Sequence, residues 1–179
     1  MIKMFKMKVF GITGWSGSGK TTLMVKLLPE LIDRGFTVST MKHTHHRFDL
    51  DRKGKDSYEH RQAGASEVLV SSSNRWALMH ELRGAPEPAM EELIEQMTPV
   101  DLLLIEGFKG RHYDKLEVSR LATGKPPRCR EDKEIVALAC DSAMEDLDIP
   151  VLDLNNIGAI ADFIVARCQL KKGAGNDPA

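Results

Sequence analysis

The residues with the clearest chemistry are Gly14-Trp15-Ser16-Gly17-Ser18-Gly19-Lys20-Thr21. Their spacing fits G-x-x-x-x-G-K-[ST], the Walker A pattern of a loop that holds a nucleoside triphosphate. Glycine lets the backbone turn tightly, so that successive N–H groups surround phosphate oxygens. The nucleotide-binding set read from this pattern is Gly14, Ser16, Gly17, Ser18, Gly19, Lys20, Thr21 and Thr22. Lys20 would neutralise the β- and γ-phosphates, the Thr21 hydroxyl would ligate Mg²⁺, and Thr22 would assist at the α-phosphate. The pattern specifies a triphosphate and names neither the base nor the reaction.

A second element completes the metal side. Asp101-Leu102-Leu103-Leu104-Ile105-Glu106-Gly107 is an apolar run that ends in an acid, as in a Walker B strand. Glu106 would hold Mg²⁺ through water at the carboxyl end of a central strand, where open α/β sheets bind ligands. The plainer alternative is a buried strand that ends in a surface glutamate. Asp101, at the opposite end, reads as structural. His43, His45 and His46 precede Asp49 and Asp51 in a polar loop. Three neutral imidazoles suit a transition metal, but their spacing matches no closed zinc site. The other readings are a solvated loop, or a loop facing the nucleotide in which Asp49 or Asp51 orients water or Mg²⁺. The catalytic candidates are therefore Asp49, Asp51 and Glu106, and the metal candidates Thr21 and Glu106. No Asn-Lys-x-Asp or Thr-Lys-x-Asp segment is present to read guanine. Asp141 could accept the guanine N–H and amino group, or equally cap a turn.

The elements that must position these groups follow from periodicity. Lys8 to Thr13 reads as a strand entering the loop, and Thr21 to Arg34 as an amphipathic helix carrying Leu23, Leu27 and Leu31. Pro29 inside that helix should kink it or cost roughly 3 kcal/mol. Phe36 to Met41 is the next strand and Ser57 to Ala63 a short helix. Glu67 to Ser71 and Arg75 to His80 form a hairpin pattern. A helix over Met90 to Met97 and a doubly buried strand over Val100 to Ile105 follow. Lys115 to Leu121 alternates and reads as an edge strand. Glu134 to Cys140 and Pro150 to Leu154 are further strands, and Asn156 caps a last helix over Ile157 to Leu170. Alternating strands and helices predict an α/β fold, a P-loop NTPase-like three-layer domain with a mostly parallel sheet and some antiparallel additions. Residues 1–170 read as a single nucleotide-binding domain and 171–179 as a disordered tail.

Composition sets the outer bounds. The chain has 179 residues, 42% hydrophobic and 28% charged, which is ordinary globular composition. The net charge of -1 removes the electrostatic argument for a nucleic-acid partner. No apolar run approaches the ~20 residues of a membrane span, and Met1 to Phe10 does not read as a signal peptide. Three widely spaced cysteines argue against a disulfide framework and for the cytoplasm.

Five segments in order carry a more specific resemblance: the loop Gly14 to Thr22, Lys42-His43-Thr44-His45-His46, Gly54-Lys55-Asp56-Ser57-Tyr58, Arg75-Trp76-Ala77-Leu78-Met79, and Ile105-Glu106-Gly107-Phe108-Lys109. From about Val9 to Ala166 the chain resembles the MobB family of molybdopterin-guanine dinucleotide biosynthesis adapters. The resemblance implies a homodimer that binds GTP with Mg²⁺ and hydrolyses it weakly. It also implies assistance to the guanylyltransferase MobA, which joins GMP to molybdopterin. The residues alone leave two alternatives. One is a small-molecule kinase whose lid would use Arg120, Arg128 and Arg130. The other is a metallochaperone GTPase that binds metal at His43, His45 and His46. Arg47, Arg52 and Arg111 are local candidates for a catalytic arginine.

Overall fold

The computed structural model describes residues 7–44, 48–108 and 112–171. His45, His46, Arg47, Lys109, Arg111 and the tail from 172 onward lie outside the described residues. Within the span read as one domain the chain forms two compact units, Met1–His43 with Thr98–Ala179, and Thr44–Met97.

The larger unit is built on a six-stranded sheet of β1 (Lys8–Thr13), β2 (Val38–Lys42), β5 (Leu102–Glu106), β6 (Lys115–Ser119), β7 (Ile135–Cys140) and β8 (Val151–Asp153). Their spatial order is β2-β5-β1-β6-β7-β8, and every pair is parallel. Alternation along the strands sends Phe10, Ile12, Leu102, Leu104, Leu116, Val118, Ala137 and Ala139 into one core. Helices α1 (Lys20–Asp33) and α4 (Ile157–Arg167) share that core through Leu23, Leu27, Leu31, Ile160 and Ile164, all buried. Each leucine so buried contributes roughly 1.5–3 kcal/mol. Asn156 caps α4, its Oδ1 accepting the Ala159 N–H at 3.0 Å. Asp101 is a joint between strands: one carboxylate oxygen accepts the Thr37 N–H at 2.8 Å and its hydroxyl at 2.7 Å.

Helix α1 continues through Pro29. Strand β6 corrects the edge reading, because it lies inside the sheet between β1 and β7 and all five of its residues are buried. The polar side chains that suggested an edge are satisfied non-locally. Lys115 Nζ lies 3.4 Å from Asp132 and 3.6 Å from Glu134. Glu117, 0% exposed, accepts the backbone N–H groups of Arg128 and Cys129 at 2.9 and 2.8 Å.

The smaller unit contains α2 (Asp56–Gln62), the antiparallel pair β3 (Glu67–Ser71) and β4 (Trp76–His80), and α3 (Met90–Glu95). The antiparallel addition is thus a separate two-stranded sheet.

Candidate functional site

A parallel sheet collects the carboxyl ends of its strands at one edge, which is where such sheets bind ligands. At that edge β1 runs into the phosphate loop, β5 ends at Glu106, β2 at Lys42, β6 at Ser119 before Arg120, and β7 at Cys140 before Asp141. The order of strands therefore brings together Walker A, the acid after the apolar run, and Asp141. Ile12 pairs with Glu106, and Glu106 pairs with Lys42 on its other side.

The loop has the backbone its glycines permit. Gly14 has φ +137°, and a Cβ there would lie 2.3 Å from the Val118 carbonyl oxygen, so the loop passes too close to β6 for any side chain. Helix α1 starts at Lys20 after Gly19, with no side-chain cap and no acid in its first turn. Its first N–H groups and the positive end of its dipole are left for an anion. Ser16 and Gly17 are exposed in the loop, and Thr21 and Thr22 are exposed on the first turn of α1. Ser18 is buried, and its Oγ has no hydrogen-bond partner among the described residues.

Lys20 folds back over the loop, its Nζ donating to the carbonyls of Gly14 at 3.0 Å and Trp15 at 2.9 Å. Burial holds its pKa below the usual lysine value; Glu106 opposes this, while Lys42 and Arg128 reinforce it. Glu106 is largely buried, and Lys42 Nζ lies 3.7 Å from its carboxylate. A threonine hydroxyl and a carboxylate are hard oxygen donors that suit Mg²⁺, which takes one or two protein ligands and completes its shell with phosphate oxygens and water. Gly107 allows the turn after Glu106: with φ +102°, a Cβ would stand 2.9 Å from the His43 carbonyl oxygen. The His43 ring packs against Phe108, with centroids 4.6 Å apart.

Asp141 is engaged locally. One oxygen accepts the Leu121 N–H at 3.0 Å and the other lies 3.4 Å from the Arg120 guanidinium. Arg120 in turn donates from Nε to the Ser18 carbonyl at 3.1 Å. Arg120 thus ties the phosphate loop to Asp141 across 102 residues of sequence, a role the motif pattern did not reveal. Lys42, the last residue of its strand, is a second cation that the motifs missed; its position directly before the histidines was the available signal.

Asp49 and Asp51 belong to the smaller unit. Both pair with Arg61, at 2.8 and 2.7 Å, and the Asp51 side chain is only 6% exposed. Glu81 lies 3.5 Å from the same guanidinium. The structure therefore gathers Lys20, Lys42, Glu106, Arg120 and Asp141 at one sheet edge, and collects Asp49 and Asp51 around Arg61. No cluster of three metal-ligating side chains occurs among the described residues.

Comparison with known proteins gives the chain its relatives. Residues 9–141 match the family described as MobB, molybdopterin guanine dinucleotide synthesis protein B. The molybdopterin-guanine dinucleotide biosynthesis adapter protein of Escherichia coli strain K12 is 40% identical over 168 residues, covering 92% of this chain and 95% of that protein. The adapter protein of the same name from Haemophilus influenzae is 43% identical over 160 residues, covering 87% and 86%. A crystal structure of molybdopterin-guanine biosynthesis protein B superposes with a TM-score of 0.71 at 25% identity, over 89% of this chain and 99% of that one.

Proposed function

The chain belongs to the MobB family of molybdopterin-guanine dinucleotide biosynthesis adapters, and on that premise we propose that it is a GTP-binding adapter with weak GTPase activity. In this reading it assists the guanylyltransferase MobA as GMP is attached to molybdopterin. The observation that carries it is the glycine loop at the uncapped start of α1, with Lys20 bonded to the loop's own carbonyls. An ammonium in that position supports the reading, because the lysine of such a loop meets β- and γ-phosphate oxygens.

The residues divide the work as follows. The loop from Gly14 to Thr22 cradles the phosphates. Thr21 and, through water, Glu106 would hold Mg²⁺, which would neutralise phosphate charge. Asp141 reads the guanine edge from beside the loop, positioned by Arg120. Asp49 and Asp51 serve as the acids that orient water. We read residues 1–170 as one nucleotide-binding domain in which Thr44–Met97 is an inserted unit, acting in the cytoplasm as a homodimer. No helix among the described residues is long and apolar enough to cross a membrane.

Lys20→Ala tests the phosphate loop. Loss of a charge-assisted contact worth about 1.5–3 kcal/mol should weaken Mg²⁺–GTP binding by roughly tenfold or more, with the far-ultraviolet dichroism and melting curve preserved. Unchanged affinity in the folded variant would remove the assignment.

A further inference from the structure

The segment between β6 and β7 is fastened to the phosphate loop more firmly than a connecting loop requires. The Trp15 indole N–H donates to the Pro126 carbonyl at 2.9 Å. Lys125 Nζ and Arg128 Cζ each lie 4.6 Å from the Trp15 ring centroid. From the other side, the buried Glu117 carboxylate takes the N–H groups of Arg128 and Cys129 and fixes the short 3₁₀ turn Arg128–Arg130. Burying a carboxylate is costly unless its oxygens have donors, and each Glu117 oxygen has one. Among the described residues neither Lys125 nor Arg128 has a carboxylate partner.

We propose that Arg128 and Lys125 are a second set of phosphate-binding cations, held over the start of the phosphate loop by Trp15 and set in place by Glu117, and that they act on the terminal phosphate of a bound nucleoside triphosphate. This rests on the nucleotide-binding reading above. Two observations and one electrostatic argument point to the end of the ligand they meet. Lys20, whose partners are the β- and γ-phosphates, bonds the carbonyl of Trp15 itself. The Arg128 charge is felt at that ammonium and helps hold its pKa down. Cations held close together repel until an anion lies among them, and a γ-phosphate is the most highly charged part of the ligand. A cation facing the base or ribose would distinguish nucleotides differently, since it would act alike on diphosphate and triphosphate. Glu117 is a positioning residue here, acting only through the turn it anchors.

The test is calorimetric titration of GTP and of GDP, each with Mg²⁺, into the full chain and its variants. Arg128→Ala should lose about tenfold in GTP affinity while GDP affinity stays within about twofold. Lys125→Ala should show the same pattern more weakly, and Arg128→Lys should recover part of the loss. Glu117→Gln should lower the GTP-to-GDP preference as Arg128→Ala does. It should also change the Trp15 emission in a Trp76→Phe background, where Trp15 is the only tryptophan. If Glu117→Gln does not fold, Arg128→Ala, at a half-buried position, decides. Equal losses for both nucleotides, or none for either, overturn the proposal. A parent chain that binds no nucleoside triphosphate overturns the reading beneath it, and is told apart because it fails before any substitution is made.

Discussion

Lys20 is the single side chain on which the proposed phosphate contact rests most directly. Its ammonium is partly withdrawn from water, held on two carbonyls, and placed near Lys42 and Arg128 with Glu106 opposing them. Burial and the two cations lower its pKa, so the sign of the pH effect follows. On the proposed reading, triphosphate binding favours the charged form of Lys20 and is strongest while Lys20 is protonated. It weakens as pH rises through the lowered value of the free protein, earlier than an ordinary lysine near ~10.4 would allow. Titrations of GTP from about pH 7 to about pH 10 should show that break. Lys20→Arg, which stays charged, should lack it; a break shared by both would belong to another group. Gly107 gives a second residue-scale prediction. A methyl group at φ +102°, 2.9 Å from the His43 carbonyl, should destabilise Gly107→Ala by about 1–3 kcal/mol in urea unfolding. No change would contradict the close approach.

Element-scale packing shows what local pattern reveals and what it hides. Helix α1 carries Pro29 at an exposed position yet continues to Asp33, because Leu23, Leu27 and Leu31 are fully engaged in the core beneath it. Pro29→Ala, which restores a helical donor and removes the ring's clash, should raise stability by about 1–3 kcal/mol, read as a higher melting temperature. A fall would mean that the proline is required where it stands. The glycine-rich turn, α1, the hairpin and the Asn156 cap were legible because their signals are contiguous: a motif, a period of 3.6 or 2, a cap one turn from its donor. Strand β6 was misplaced at an edge because Lys115 and Glu117 look solvent-facing until their partners are known. Those partners come from the segment that follows, and no periodicity announces them. Arg120 and Trp15 were opaque for the same reason, since their contacts span 102 and 111 residues. Asp49 and Asp51 were visible as acids, whereas Arg61, the cation that holds them, stands ten residues beyond Asp51 without a motif.

At the scale of the whole molecule the account requires partners, and one surface suits a second copy of the chain. In the hairpin, Leu69 pairs with Leu78 and Ser71 with Trp76, so Leu69, Leu78 and Trp76 share one face. They are 61%, 45% and 68% exposed. In the homodimer proposed above, this apolar face is where a second copy would pack. Sedimentation should find a dimer in the parent chain and a monomer in Leu69→Asp/Trp76→Asp; a parent monomer would contradict the dimer.

The central claim, that this adapter is loaded with GTP, is tested most directly by calorimetric titration of the purified chain with GTP and then ATP, each with Mg²⁺. The account predicts saturable binding of GTP, weaker binding of ATP, and loss of the difference in Asp141→Asn. Tighter binding of ATP, or no preference between the two, would contradict it.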